Sequence, residues 1–155
     1  MAIFYQNNAG FKISTDGTTY IDLTDHVTSL TINRQFDELD VTAMGSAGHQ
    51  FIAGLESSTI SVDFLNDDAP STGTPGSVMQ TLNTLVGTNA KFKICQTTIP
   101  GTPTTATIGQ SNPLYSGLIL VNKITPVAGK VGDVAVQTLT FTVSGAITVA
   151  TTGTW

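Results

Sequence analysis

Apolar and polar residues alternate along much of this chain, and a period of two is typical of strands in a half-buried β-sheet. The alternating segments are separated by residues expected in turns, chiefly Gly, Pro, Thr and Asp. Asp16 and Gly17 separate the first two segments and predict a two-residue hairpin turn in which both residues take positive φ. Strands are predicted at residues 11–15, 18–22, 27–33, 57–66, 91–96, 115–127, 134–144 and 147–150.

Two of the predicted strands, 57–66 and 134–144, combine an apolar face with a face of small polar residues. The residues predicted to enter the core are Ile60, Val62 and Phe64, then Leu139, Phe141 and Val143. The opposite faces carry Thr59, Ser61 and Asp63, then Thr138, Thr140 and Thr142. Such a polar face is either an ordinary solvated sheet or the lining of a channel, if sheet edges pair with identical subunits to close a ring.

A single helix is predicted at about residues 77–87. Ser77 can cap its start, Gln80 can reach back to that cap, and Gly87 suits its end. Its apolar stripe consists of Val78, Leu82, Leu85 and Val86. One helix among antiparallel strands predicts an all-β fold, a β-sandwich or flattened barrel, with the helix packed across its open side.

A long polar segment, residues 34–56, lies between the predicted strands 27–33 and 57–66. Acidic residues and glycines are frequent in it, and its apolar residues are too scattered to build a core of their own. We therefore predict an inter-subunit loop, whose apolar side chains contact another copy of the chain. Those residues are Phe36, Leu39, Val41, Met44, Phe51, Ile52 and Leu55.

Composition restricts the possible functions. The length of 155 residues predicts a single domain, 1–155. Charged residues make up 11% of the chain, less than half of the usual fraction of about 25%, which indicates a surface largely covered by other copies. With six Lys and Arg against eleven Asp and Glu, and a net charge of −5, the chain lacks the clustered cations that gripping nucleic acid requires.

No metal or cofactor site is expected. His26 and His49 are separated by a loop and have no neighbouring Cys or Glu at ligand spacing, which argues against zinc. Four residues imitate part of a calcium loop but lack its Gly and terminal Glu, namely Asp63, Asn66, Asp67 and Asp68. Solvation of acidic residues at the end of a strand explains them better.

Catalysis and membrane insertion are also disfavoured. Cys95 is the only cysteine, which excludes an intramolecular disulfide, and although Lys91 and Lys93 could lower its pKa, no base accompanies it. No catalytic set can be assembled from two His and one Cys. Residues 1–10 lack the basic and apolar regions of a signal peptide, and the longest apolar run, 118–121, is too short to span a bilayer. We expect a protein made in the cytoplasm with no membrane segment.

Two motifs occur in order within the polar segment. Residues 37–45 have the pattern D-x-L-D-V-T-x-M-G, and residues 51–56 have the pattern aromatic-I-x-G-L-E. They lie between a strand containing VTSL and a strand that ends in acidic residues. This arrangement, over residues 21–69, resembles the major tail tube proteins of long-tailed, siphovirus-type bacteriophages.

The resemblance implies a fold, an assembly and a location. Similar tube proteins form a β-sandwich with a helix, and their inner sheets join in hexameric rings that stack into a tube for DNA ejection. For this chain it implies that 34–56 contacts neighbouring subunits and rings and that 57–66 lies near the channel. The implied partners are further copies, other tail proteins at the tube ends and double-stranded DNA that passes without being gripped. The implied location is the virion tail, after synthesis in the host cytoplasm.

Two other classes of protein remain open. A tube protein of a contractile tail, or of an injection or secretion system, would share the fold and the polar channel but would hold a sheath outside. A free β-sandwich binding module, such as an adhesin or a carbohydrate-binding domain, would need exposed aromatics for stacking. One Trp and three scattered Tyr make that class the weaker hypothesis.

Overall fold

The computed structural model describes residues 8–67, 77–101 and 104–155, which contain nine strands, one α-helix and a short 3-10 helix at Thr24–His26. The strands are β1 Gly10–Ser14, β2 Ile21–Asp22, β3 Val27–Asn33, β4 Phe36–Asp40, β5 Phe51–Glu56, β6 Thr59–Leu65, β7 Asn89–Cys95, β8 Leu114–Leu120 and β9 Val136–Ala150. The helix α1 is Val78–Leu85.

Seven of these strands form one antiparallel sheet in the order β2-β1-β7-β8-β9-β6-β3, and the sheet curls into a half-barrel. The remaining two, β4 and β5, form a separate two-stranded sheet. This confirms the predicted antiparallel all-β fold with one helix, in its barrel-like form. Whether the large sheet joins its neighbours in a ring stays a prediction.

Burial follows the predicted alternation closely. The six apolar residues assigned to the core from 57–66 and 134–144 are all buried, with exposed fractions of 6% or less. Four phenylalanines, Phe11, Phe64, Phe92 and Phe141, are fully buried, and the rings of Phe11 and Phe64 meet edge to face at 5.6 Å. In the described part of the chain, the interior of the half-barrel is therefore a packed core.

Helix α1 packs against this core as the sequence predicts. Its N-terminal cap is Ser77, whose Oγ accepts a hydrogen bond from the amide of Gln80 at 3.4 Å. Gly87 follows its end with a φ of 82°, a conformation that glycine adopts without steric cost. Val86 was assigned to the buried stripe, and this is wrong: it is the C-cap residue and is 42% exposed.

The predicted two-residue turn at Asp16 and Gly17 is also wrong. Ile13 pairs with Ile21, so a longer loop joins β1 to β2. The Asp16 carboxylate accepts hydrogen bonds from the amides of Thr18 and Thr19, both at 2.8 Å. These local bonds close the loop around the side chain of Asp16, and Gly17 alone takes a positive φ, at 74°.

Two predicted strand boundaries need correction. The strand predicted at 115–127 begins at Leu114 and ends at Leu120. The strands predicted at 134–144 and 147–150 are one strand, β9, interrupted by a bulge. Gly145 has a φ of 87°, and residues 145–147 stand opposite Gly117 alone, because the register with β8 shifts there.

The open loop predicted at 34–56 is instead mostly a β-hairpin. Leu39 lies opposite Ile52 and Asp40 opposite Phe51, and the amide of Val41 donates to the carbonyl of Gln50 at 2.8 Å. We call residues 36–56 the arm. Hydrogen bonding between β4 and β5 satisfies backbone groups that an open loop would leave to water.

Candidate functional site

The six residues predicted to line a channel lie side by side on β6 and β9. The directly opposed pairs are Thr59 and Thr142, Ser61 and Thr140, and Asp63 and Thr138. The hydroxyl oxygens of Ser61 and Thr140 are 3.1 Å apart, within hydrogen-bond distance. The structure therefore brings all six together on one face of the sheet, on the side away from the core.

Strand β3 extends this face with residues that were not assigned to the lining. Opposite Asp63, Ser61 and Thr59 of β6 lie, in that order, Ser29, Thr31 and Asn33. The alternation that places Leu30 and Ile32 on the core side could have identified them. We call these nine residues on β3, β6 and β9 the polar face. Asp63 is its only charged residue, so the surface is hydroxyl-rich, faintly acidic and free of cations.

The polar face ends differently on its two sides. Towards β8 it gives way to Leu118 and Leu120, which are 37% and 38% exposed and lie opposite Ser144 and Thr142. On the other side, β3 pairs only with β6 in the described part of the chain. One edge of β3 is therefore left with backbone groups that another strand could pair.

The arm exposes the apolar residues that were predicted to contact another copy. Their exposed fractions range from 45% to 106%, for Phe36, Leu39, Val41, Met44, Phe51, Ile52 and Leu55. A side chain at Gly54 would lie against Asp37 and Leu39, so Gly54, Leu39 and its partner Ile52 share one side of the arm. Because successive side chains of a strand point to opposite sides, Phe51 lies on the other. Both sides of the arm thus carry exposed apolar residues.

Hydrogen bonds close the tip of the arm. The carboxylate of Asp40 accepts from the amide of Thr42 at 2.8 Å and from its hydroxyl, and these bonds hold the pKa of Asp40 below its ordinary value. The amide of Gln50 donates to the Thr42 hydroxyl at 3.0 Å. His49 Nδ1 lies 3.3 Å from the Asp40 carboxylate. His49 thus belongs to a local turn network.

Elsewhere in the described residues, the side chains that could ligate metal form no cluster, and the cysteine is buried. No group of three or more His, Cys, Asp or Glu side chains there could hold a metal ion, and Asp68 of the calcium-loop candidate lies outside those residues. Cys95 is fully buried, and burial raises the pKa of its thiol to about 11, which contradicts the lowering that Lys91 and Lys93 suggested. No helix in ranges 8–67, 77–101 and 104–155 has the length and apolar character to cross a membrane.

Sequence reasoning missed the residues at the base of the arm. Arg34 precedes β4, Glu56 ends β5, and their side chains pair through the Arg34 Nε and Glu56 Oε1 atoms at 3.1 Å. The signal was present, since opposite charges bracket the polar segment 34–56. A carboxylate inside a motif and a cation at the far end of the same segment are candidates for mutual pairing.

The fold is shared with chains of gene transfer agent particles. A chain from the virion of a native gene transfer agent particle matches with 17% identity and a TM-score of 0.63, covering 90% of this chain and 95% of that one. A chain from a helically refined tail of an empty gene transfer agent particle, with C6 symmetry, matches with 19% identity and a TM-score of 0.58, covering 90% and 92%. No protein family model matches the sequence, and no curated protein matches it significantly.

Proposed function

We propose that this chain is a structural protein, the major tube subunit of a phage-type tail. Its copies form hexameric rings that stack into a tube, and double-stranded DNA leaves the particle through the channel. The observation that carries the proposal is the polar face, nine residues on three adjacent strands with one carboxylate and no cation. The C6 symmetry of the tail that contains a similarly folded chain supports a ring of six.

The chemistry of the polar face suits a wall along which DNA slides. Lys and Arg bind phosphates, and each cation on a repeating wall would add a contact along the whole tube. The side chains of Ser61, Thr140 and their neighbours are short and uncharged, and Asp63 repels phosphate. A DNA duplex in contact with such a wall meets no site that holds it.

The arm supplies the contacts that build the tube. A two-stranded hairpin is marginally stable by itself in water, and exposed apolar residues on both of its sides mark surfaces that a partner covers. In our proposal one side, with Leu39 and Ile52, packs on the adjacent subunit of the ring. The other side, with Phe51, packs on the next ring. The free edge of β3 pairs with the sheet of a neighbour, which closes the ring.

The proposal places the protein in the tail of the virion, where other tail proteins cover the ends of the tube. Negative-stain microscopy of the purified and concentrated protein tests it. We expect hollow tubes with sixfold end views, or stacked hexameric rings. A protein that remains monomeric at every concentration, while folded, would contradict the proposal, and discrete rings that never stack would indicate a ring protein at a tube end.

A further inference from the structure

The arm joins the rest of the protein through two short connections, residues 33–36 and 56–59. In the described ranges, β4 and β5 pair only with each other. The two connections are tied where the amide of Ser57 donates to the carbonyl of Gln35 at 2.7 Å. No other described strand pairs with the arm along its length, so we infer that its direction is set at its base.

One carboxylate collects the hydrogen bonds at that base. Glu56 accepts from Arg34 Nε at 3.1 Å and from Arg34 Nη2 at 3.2 Å, in a bidentate pair. It also accepts from the Ser58 hydroxyl at 2.8 Å and from the amide of Ile147 at 3.3 Å. Its side chain is only 6% exposed. The donors come from the residues before and after the arm and from β9, so the carboxylate ties the arm to the large sheet.

The donor on β9 is provided by the bulge in that strand. Residues 145–147 leave the ladder with β8, where Gly117 alone stands opposite them. The amide of Ile147, the last residue of the bulge, donates to Glu56 on the side of β9 where the amide of Val143 donates to the carbonyl of Ser58. Bulges bend the strand locally, and here the bulge begins at Gly145, whose φ of 87° is a left-handed conformation that glycine adopts without steric cost.

We propose that Glu56 and Arg34 are positioning residues that fix the direction of the arm before subunits assemble. This inference rests on the proposed function, because the direction of the arm matters only if the arm contacts other subunits. Strand β4, Phe36–Asp40, reaches about 13 Å, so a tilt of about 20° at the base moves its far end by about 5 Å. Close-packed interfaces do not tolerate such a displacement. An arm that is already aligned loses less conformational entropy on association.

The direction of the arm can be measured in the monomer by time-resolved energy transfer. Trp155 is the only tryptophan and is a fixed donor, because its ring packs on Gly10 and lies 4.6 Å from Lys12 Nζ. An acceptor dye is attached to Ala47→Cys at the exposed tip, while burial and its raised pKa protect Cys95 from labelling. We expect a narrow distance distribution in the otherwise unchanged protein at concentrations below assembly.

Glu56→Gln keeps the shape of the side chain and removes its charge, and we expect it to broaden the distribution. Arg34→Lys keeps the charge and removes the bidentate geometry, and it should broaden the distribution less. The control is Asp133→Asn, which removes one carboxylate from an exposed pair with Lys130 and should leave the distribution narrow. A distribution in Glu56→Gln as narrow as in the control would overturn the proposal, and Arg34→Lys provides the same test at a half-exposed site if Glu56→Gln fails to fold.

The critical concentration for assembly, measured by sedimentation, gives the second readout. We expect Glu56→Gln to raise it on the order of tenfold and Asp133→Asn to leave it unchanged. A broadened distance distribution with an unchanged critical concentration would show that assembly does not need a positioned arm, and would overturn the inference. If the unmodified protein never assembles, the proposed function fails, whereas the energy-transfer result still decides whether Glu56 holds the arm.

Discussion

Thr140 and Phe141 are consecutive residues of β9, yet Phe141 is fully buried in the core while Thr140 is exposed on the polar face. Their partners on β6 repeat this arrangement, because Ile60 lies opposite Phe141 and Ser61 opposite Thr140. A single residue step along the strand thus separates the side of the sheet that stabilises the fold from the side assigned here to the channel. Substitutions on the two sides should therefore have separable effects.

Phe141→Ala should lower the free energy of unfolding by about 3–5 kcal/mol, the usual cost of truncating a buried phenylalanine. That is a large share of the roughly 5–15 kcal/mol that stabilises a domain. Chemical denaturation of the monomer measures the change. The matched control is Thr140→Ala, which should change the stability by no more than about 0.5 kcal/mol. Equal effects of the two substitutions would contradict the strand phase described above.

Leu39→Asp should block polymerisation and leave the monomer folded, because the interface would then bury an unpaired charge. The same result is expected for Met44→Asp and Phe51→Asp. Circular dichroism checks the fold, and sedimentation checks the assembly. Val131→Asp is the control, since Val131 is an exposed apolar residue outside the arm and its replacement should allow tubes to form. Tubes of normal length from all three arm variants would remove the arm from the interface.

The hydrogen bonds by which Glu56 positions the arm should weaken in acid. The hydrogen bonds from Arg34 and then Ser58 keep the pKa of Glu56 below its ordinary value. For a carboxyl whose pKa is depressed by folding, the stabilisation is present above the unfolded pKa and disappears as the pH falls through the folded pKa. Arg34, the charged group paired with Glu56, stays protonated throughout.

We therefore expect the distance distribution between Trp155 and the labelled arm tip to stay narrow above about pH 5 and to broaden as the pH falls below the ordinary glutamate pKa of about 4.3. Glu56→Gln isolates the effect from the titration of other carboxyls, such as Asp40, because its distribution should already be broad at neutral pH. Identical pH profiles for the two proteins would assign the acid response to other groups.

The sequence predicted the large sheet better than it predicted the arm, for a physical reason. Core packing demands strict alternation in β6 and β9, so the buried positions of Phe64 and Phe141 could be identified from spacing alone. In the arm, the consecutive residues Phe51 and Ile52 are both apolar and exposed. If both sides of a hairpin are covered only in an assembly, a period of two is absent from its sequence, and the pairing of β4 with β5 is hidden.

The role of Glu56 was hidden for a different reason. One of its donors, the amide of Ile147, lies 91 residues further along the chain. That amide lies in a bulge, beginning at Gly145, where the register between β8 and β9 shifts. Neither a local motif nor strand alternation carries this information. The bulge is also the reason why the single strand β9 is predicted from the sequence as two strands.

The polar face gives the test that decides the function. Replacing Ser61 and Asp63 by Lys should leave the fold intact, because both side chains point away from the core, and should allow tubes to form. A row of cations in every ring would then hold DNA phosphates along the channel. We expect tubes of this variant to retain short double-stranded DNA on sedimentation at low salt and to release it as the salt concentration rises.

Asn122→Lys combined with Asp133→Lys is the matched control, since it adds the same charge at exposed residues outside the polar face. Particles built with the Ser61 and Asp63 variant should have tails of normal length in micrographs, yet they should deliver less DNA than the control. If these residues line the channel, the added cations should slow the passage of DNA. If they lie on an ordinary solvated sheet, the passage of DNA should not change. If the variant tubes form normally but retain no more DNA than the control, and delivery is unchanged, β6 does not line the channel and its polar side faces solvent or another subunit.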